Sequence, residues 1–521
     1  MVTLKLKVLK SRILPIPLSA SVIFLIFYGL LNRGPISHGA LWGDDALLFR
    51  ASSIPGGFAS DLTSSLFQTG SAKSRPLLQP ILALLLQSFG NDQFWYLWIS
   101  AVLVVAISIS VFFLIRSICG NNLVGILGAI VVQTTRFNWY SKDNVFGIME
   151  ATAILLLVLS VHQILHQLKE EDSSRALLSG IILLFASTLV HERYVLVSAA
   201  IPFAFLLISI LDKSVISKRN AALSLYFFLI PTFHVIWKVS LLNVSPFTGG
   251  GESNFSSVKG PWILKHVIQT ATSVVGWSTG YKDAASHLNI KPVFLPVLAS
   301  LVLVAICVGI YRTFILVFQT GDSKAVQTRS TLIILCAFFS TNVISASLVI
   351  ERIEYRWLFG PLIFLIVIIS SLKFSRQPEL HLVRICALII AIFVGDLMYQ
   401  PMHKPELVNA RRVQYALEGL KSTSHFDELD RDIPWKLVVV AENWESWKWW
   451  TFAYGNVFLN SDNAPVQVVF STSDLAFSSC QKDWKLASCT LLKLDGLNDQ
   501  HQISTISLRN LYDFSRSRVD N

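Results

Sequence analysis

The sequence predicts an all-α polytopic membrane bundle of about 11 transmembrane helices, followed by a small extracytoplasmic α/β domain. Hydrophobic residues make up 53% of the 521 positions, and only 15% are charged. Apolar runs repeatedly reach about 18 to 24 residues, the length that crosses roughly 30 Å of hydrocarbon. These runs are continuous and rich in Leu, Ile and Val rather than alternating, which favours helices over barrel strands.

The predicted spans alternate across the bilayer from a cytoplasmic amino terminus. Four basic residues and no acidic one lie in the first 12 positions, and no small-residue cleavage site follows the first apolar run, so the first helix is expected to be an uncleaved anchor. The run 76–89 is too short to span and is predicted to be a helix lying along the outer surface. The spans are expected at residues 13–31, 93–115, 122–135, 145–168, 177–190, 194–211, 220–239, 293–316, 330–350, 357–373 and 382–399.

This topology divides the chain into a membrane domain, residues 1–399, and a soluble extracytoplasmic domain, residues 400–521. The basic connections then fall on the cytoplasmic side, as the positive-inside rule requires. The outer face receives loops 32–92 and 241–291 and the turns 136–143, 191–194 and 351–356. We therefore expect an integral protein of the plasma or inner membrane.

The carboxy-terminal domain is predicted to contain strands at 435–440 and 466–470. The tryptophan-rich stretch 444–450 between them can pack as core, rest on the bilayer interface or stack on a sugar ring. Cys480 and Cys489 can form a disulfide if this domain faces an oxidising compartment. Although the formal net charge is +10, the basic residues are scattered over short connections, so a nucleic-acid partner is not expected.

An adjacent acidic pair, Asp44 and Asp45, follows the first apolar run. Ionised carboxylates are costly beside hydrocarbon, so their presence there points to chemistry at the membrane surface. Consecutive helical residues point about 100° apart, so the two are not expected to share one task. We assign Asp44 as the base that takes a proton from an acceptor hydroxyl, and Asp45 as a helix cap or its orienter; a purely structural pair is the alternative.

The second outer turn ends at Asp143, which can cap the helix that follows or hold the acceptor and orient the base. The next turn reads His191-Glu192-Arg193-Tyr194; it resembles the start of a zinc protease motif, but Val195 stands where the second histidine ligand would be. His191 and Arg193 can instead meet a lipid phosphate, with an interfacial salt bridge of Glu192 as the alternative.

The turn 351–356 packs four charges into six residues. Surface ion pairing explains them in one interpretation. In the other, Arg352 and Arg356 are four residues apart, face the same way on a helical turn and clamp an anion. Arg75 is a further phosphate-binding candidate, and supporting residues for the site or the acceptor are Lys142, Glu192 and Tyr355.

The layout resembles the GT-C membrane glycosyltransferases, in particular the protein O-mannosyltransferases and the lipid A aminoarabinose transferases. The resemblance rests on the cytoplasmic amino terminus, the acidic pair in the first outer loop, Arg75-Pro76-Leu77-Leu78 opening a surface helix, the second acidic turn and the carboxy-terminal outer domain. It implies transfer of a sugar, with inversion, from a polyprenyl-phosphate carrier to a glycan, lipid or protein acceptor on the extracytoplasmic face. The first-loop acid, Asp44, would act as base, Asp143 would assist it, and basic residues would hold the departing phosphate.

No cofactor is expected, although Asp44, Asp45, Asp143 and Glu192 offer the oxygen ligands that magnesium or manganese prefers. The alternative function is a transporter or flippase of lipid-linked glycans. Such proteins usually have paired halves and charges near the bilayer midplane, whereas the charges here gather at the outer helix ends.

Overall fold

A computed structural model describes the chain over its helices and strands. The described residues are 17–33, 75–90, 92–169, 174–211, 218–245, 260–275, 294–320, 323–348, 355–372 and 378–399, with the strand segments 435–441, 466–471, 489–494 and 503–506.

Fifteen α-helices run through the described part of residues 17–399. The amino-terminal half contains α1 (Leu18–Arg33), α2 (Leu78–Phe89), α3 (Gln93–Cys119), α4 (Asn122–Thr134), α5 (Trp139–Asp143), α6 (Gly147–Lys169), α7 (Ser174–Val190) and α8 (Val195–Leu211). The second half contains α9 (Lys218–Ser224), α10 (Leu229–Ile236), α11 (Gly260–Val274), α12 (Phe294–Thr320), α13 (Ser323–Leu348), α14 (Phe359–Ser371) and α15 (Pro378–Tyr399). Short 3₁₀ segments cover Arg136–Asn138, Glu192–Tyr194, Leu225–Phe228 and Tyr355–Leu358, and a π-helical turn covers Trp237–Leu241.

The predicted helical membrane bundle is confirmed. Within the described residues, seven helices are long and apolar enough to cross a membrane, and they coincide with the predictions at 93–115, 145–168, 194–211, 220–239, 293–316, 330–350 and 382–399. The other four predicted spans are shorter apolar helices: Leu18–Leu31, Asn122–Thr134, Ser174–Val190 and Arg356–Ser371. The full number of eleven crossings therefore stays a prediction.

Local chemistry explains where the third and fourth helices begin and end. The Asp92 carboxylate caps α3 by accepting the Phe94 N–H at 3.0 Å. Gly120 closes α3 at a φ of 70°, in the left-handed region that favours glycine. Asn121 then caps α4 by accepting the Leu123 N–H at 2.9 Å.

Helix α14 lies at the centre of the bundle. Every one of its 13 residues is buried, and it contacts α3, α4, α13 and α15. Outer helices instead keep large apolar residues exposed, such as Phe203 and Ile210 on α8, as expected of a surface that faces lipid. In α2, by contrast, Leu78, Leu82 and Leu86 form a buried stripe while Leu84 is exposed, which is the amphipathic pattern predicted for the surface helix.

The carboxy-terminal segment contains a four-stranded sheet in the order β2-β1-β3-β4. The strands are β1 (Trp435–Ala441), β2 (Val466–Ser471), β3 (Cys489–Leu494) and β4 (Ile503–Ile506). The central strand β1 is parallel to β2 and to β3, and β4 is antiparallel to β3. The two predicted strands are confirmed, while the domain boundary at residue 400 stays a prediction.

Candidate functional site

Three turns that the sequence predicts on the outer face meet at one end of the bundle. The segment Tyr355–Leu358 contacts both Arg136–Asn138 and α5, and it also contacts α13. The segment Glu192–Tyr194 contacts α13 as well. Side chains from distant parts of the sequence therefore come together at these helix ends.

A glycine allows the second of these turns to lie against the next helix. A Cβ added at Gly147 would stand 2.0 Å from the Tyr140 carbonyl oxygen and 2.8 Å from the Ser141 Cα. No larger residue fits without moving backbone, because real Cβ contacts are not that short. Gly147 thus fixes the start of α6 against α5 and places Glu150 in the first turn of α6.

Glu150 is the centre of a buried charged cluster. Its side chain is 1% exposed, and Oε1 lies 3.1 Å from His191 Nε2 and contacts the Arg193 guanidinium. The Arg193 backbone N–H donates to His191 Nδ1 at 3.3 Å. The same His191 Nε2 lies 3.0 Å from Nη2 of Arg193, so the three side chains are in mutual contact. One carboxylate oxygen therefore serves both residues of the His191 turn.

His191 is neutral at physiological pH. Its burial is the largest effect and lowers its pKa from 6.5 to about 4. The carboxylate of Glu150 opposes this shift, while the positive charges of Arg193 and Arg75 add to it. The cationic character of the cluster therefore comes from its arginines and not from this histidine.

Aromatic rings hold two of those arginines. The Arg193 Cζ lies 5.3 Å from the centroid of the Trp357 ring, and the Arg356 Cζ lies 5.7 Å from the same ring. Arg356 also stacks over Tyr140 at 4.4 Å. Guanidinium groups bind aromatic faces favourably, so Trp357 keeps two like charges near each other. Arg356 is close enough to Glu150 to interact with it electrostatically.

Arg75 joins the cluster from the start of α2. The Leu77 N–H donates to the Leu189 carbonyl at 3.2 Å, which ties the residues just before α2 to the end of α7 beside His191. The charge of Arg75 acts on His191 from there. The basic residue and the surface helix that the sequence links thus lie beside the predicted phosphate-binding turn.

Two further ion pairs brace the same end of the bundle. Glu192 Oε2 lies 3.4 Å from Lys238 Nζ, in the π-helical turn. Asp396, near the end of α15, accepts the Arg136 backbone N–H at 3.0 Å and lies 3.2 Å from Arg136 Nε. Both partners of this second pair are buried, and the pair joins α15 to the Arg136–Asn138 segment.

The sequence-predicted site residues are distributed unevenly over the described part of the chain. The structure brings together Arg75, His191, Arg193 and Arg356, and it pairs Glu192 with Lys238. Lys142 lies in α5, the short helix that contacts the Tyr355–Leu358 segment. Asp44, Asp45 and Arg352 lie outside the described residues, and for Asp143 and Tyr355 the backbone alone is described.

Sequence reasoning missed Glu150, Asp396, Lys238 and Trp357. The signal for the first three was a charge inside an apolar run that the same reasoning had assigned as a membrane span. No group of three or more His, Cys, Asp or Glu side chains that could hold a metal ion occurs within the described ranges, which do not include Asp44 and Asp45.

The chain was compared with family models, curated proteins and solved structures. No family model matches the chain, and no curated protein matches it. It is similar to the archaeal oligosaccharyltransferase AglB from Archaeoglobus fulgidus, solved in complex with an inhibitory peptide and a dolichol-phosphate, with 12% identity and a TM-score of 0.43. The match covers 84% of this chain but 63% of that one.

Proposed function

We propose that the chain is an inverting glycosyltransferase that moves a sugar from a polyprenyl-phosphate carrier to an acceptor on the extracytoplasmic face. The observation that carries the proposal is a cluster of arginines from three separate segments: Arg193 and Arg356 act on the buried carboxylate of Glu150, and Arg75 acts on the adjoining His191. With His191 neutral, positive charge is in excess among these described groups. Such a cluster favours an anionic ligand.

A phosphate leaving group fits this arrangement. As the bond between sugar and phosphate breaks, negative charge grows on the phosphate, and fixed cations stabilise that charge with little reorganisation. Trp357 fixes both Arg193 and Arg356 before any ligand binds. The cluster lies at helix ends, so a polyprenyl chain can stay in hydrocarbon while its phosphate meets the arginines.

The remaining roles follow the assignments made from the sequence. Asp44 takes the proton from the acceptor hydroxyl, Asp45 caps or orients it, and Asp143 assists. Arg352, four residues before Arg356 in the sequence, adds a further cation. No metal is required, because the arginines neutralise the leaving group.

Transfer from a radiolabelled lipid-linked sugar tests the proposal in proteoliposomes. Asp44→Asn should lower the rate by about 10²–10⁴-fold through loss of the base. Arg356→Ala should lower it by about 10²–10³-fold through loss of a fixed charge donor. The matched control is Arg116→Ala, an exposed arginine at the other end of the α3–α4 hairpin, which should transfer normally.

Two results would overturn the proposal. Unchanged transfer in Asp44→Asn removes the base, and unchanged transfer in Arg356→Ala removes the phosphate site. Movement of the labelled lipid across the bilayer without transfer to any acceptor would indicate a transporter instead.

A further inference from the structure

Two atoms of the central ion pair have no hydrogen-bond partner among the described residues. Glu150 uses Oε1 for both His191 and Arg193, while its Oε2 is buried without a partner. The Nε of Arg193 is likewise buried without one. Both residues are more than nine-tenths buried. Other buried polar atoms of the described residues are unpaired as well, but these two belong to the arginine cluster, where an anionic ligand would pair them.

The chemistry of the two atoms defines what that ligand must offer. A carboxylate oxygen only accepts hydrogen bonds, and a guanidinium Nε–H only donates one. A fully ionised phosphate can serve Arg193 but would be repelled by Glu150. A hydroxyl can donate to Glu150, and an anionic oxygen beside it can accept from Arg193. A sugar joined to a phosphate offers both groups within one small molecule.

We propose that Glu150 and Arg193 recognise the sugar of the phosphate-linked donor. Glu150 Oε2 accepts a hydrogen bond from a sugar hydroxyl, and Arg193 Nε donates to an oxygen of the adjoining phosphate. This inference rests on the proposed function and extends it, because it names the part of the donor that the buried carboxylate recognises.

Charge gives the same pair a second effect. The phosphodiester of the intact donor carries one negative charge, whereas a phosphate monoester carries about 1.5 to 2 at neutral pH. The carboxylate of Glu150 therefore weakens the binding of the sugar-free carrier more than the binding of the donor. The site binds the sugar-bearing lipid in preference to the spent one, which helps the product to leave.

A purely structural role for Glu150 makes a different prediction. If its carboxylate only orients Arg193, its loss weakens the binding of every phosphate lipid by the same factor. If the carboxylate accepts a hydrogen bond from the sugar, its loss weakens the binding of the sugar-bearing lipid alone. The ratio of the affinities for a sugar diester and for a sugar-free diester of the same charge separates these roles, since neither a general loosening of the site nor the loss of the Glu150 charge changes it.

The experiment measures binding of five probes to the full chain in nanodiscs. The probes are farnesyl phosphate, farnesyl methyl phosphate as the sugar-free diester, and the mannose, glucose and galactose diesters of farnesyl phosphate. The wild type should bind at least one sugar diester more tightly than farnesyl methyl phosphate. In Glu150→Gln that preference should fall roughly tenfold, the loss expected for a hydrogen bond to a charged group, while farnesyl phosphate binds no more weakly than before.

Control variants and contrary results complete the design. Asp92→Asn makes the same carboxylate-to-amide change at the exposed cap of α3 and should leave the ratio as in the wild type. If Glu150→Gln does not fold, Glu150→Asp withdraws the carboxylate by one methylene and should lower the ratio in the same direction. The inference is wrong if the ratio is unchanged in the Glu150 variant, or if the wild type prefers none of the three sugar diesters to farnesyl methyl phosphate. Failure of the wild type to bind any probe would overturn the proposed function itself.

Discussion

Replacement of Asp396 by alanine should destabilise the whole bundle. The carboxylate accepts the Arg136 backbone N–H at 3.0 Å and lies 3.2 Å from its Nε, with both side chains under 5% exposed. Removal of one partner of a buried ion pair costs about 3–5 kcal/mol, because the remaining charge stays desolvated. At roughly 2.1 cal/mol/K per residue of unfolding entropy, a chain of this size should lose about 3–5 °C in apparent Tm.

The assay is the thermal loss of monodisperse protein in detergent, measured for single and double variants. Asp396→Leu combined with Arg136→Met removes both charges and should recover most of the lost stability, since no buried charge remains. Asp396→Asn keeps an acceptor for the backbone N–H and should fall between the wild type and Asp396→Ala. The reasoning is refuted if Asp396→Ala melts with the wild type, or if the double variant is no more stable than that single variant.

Three further predictions concern the residues that shape the site. Gly147→Ala should lower both the transfer rate and the apparent Tm, because the added Cβ would stand 2.0 Å from a backbone carbonyl oxygen. The control Gly395→Ala should change neither, because its Cβ would meet only one methyl group, at 3.9 Å. Equal melting of the two variants would contradict this. Because the pKa of His191 is lowered to about 4, the unfolded chain takes up a proton at a higher pH than the folded chain does. His191 should therefore contribute stability that is present above pH 6.5 and lost as the pH falls towards 4. His191→Gln should flatten the dependence of Tm on pH across that window, and an unchanged slope would contradict this. Trp357→Ala should weaken farnesyl phosphate binding by about two- to thirtyfold, because Arg356 loses the ring that lies beside it. Trp357→Phe should restore part of the lost affinity. Equal binding by the two variants would show that the ring has no such role.

The fold was predictable because its signals are local. Continuous apolar runs marked the long helices, and short stretches rich in valine marked β1 and β2. Strand β3 was missed because Cys489–Leu494 carries no alternating pattern strong enough to separate it from a coil. The lengths of helices such as α4 and α14 are not fixed by hydropathy, since packing against neighbours decides where they end.

The site was only partly predictable, because its pairings are long-range. His191, Arg193 and Arg356 were found as charges in short turns between apolar runs. That Glu150 pairs with His191 and Arg193 depends on how α6 packs against α7, which no spacing in the sequence encodes. A carboxylate inside an apolar run was nevertheless a readable signal, because such a group persists only where it is paired or functional.

A structure of the full chain with bound polyprenyl phosphate tests the central claim most directly. We expect the phosphate oxygens to lie within hydrogen-bonding distance of Arg193 and Arg356, with Asp44 beside the same bound phosphate. A phosphate bound at the opposite end of the helices, or one that contacts neither arginine, would contradict the claim.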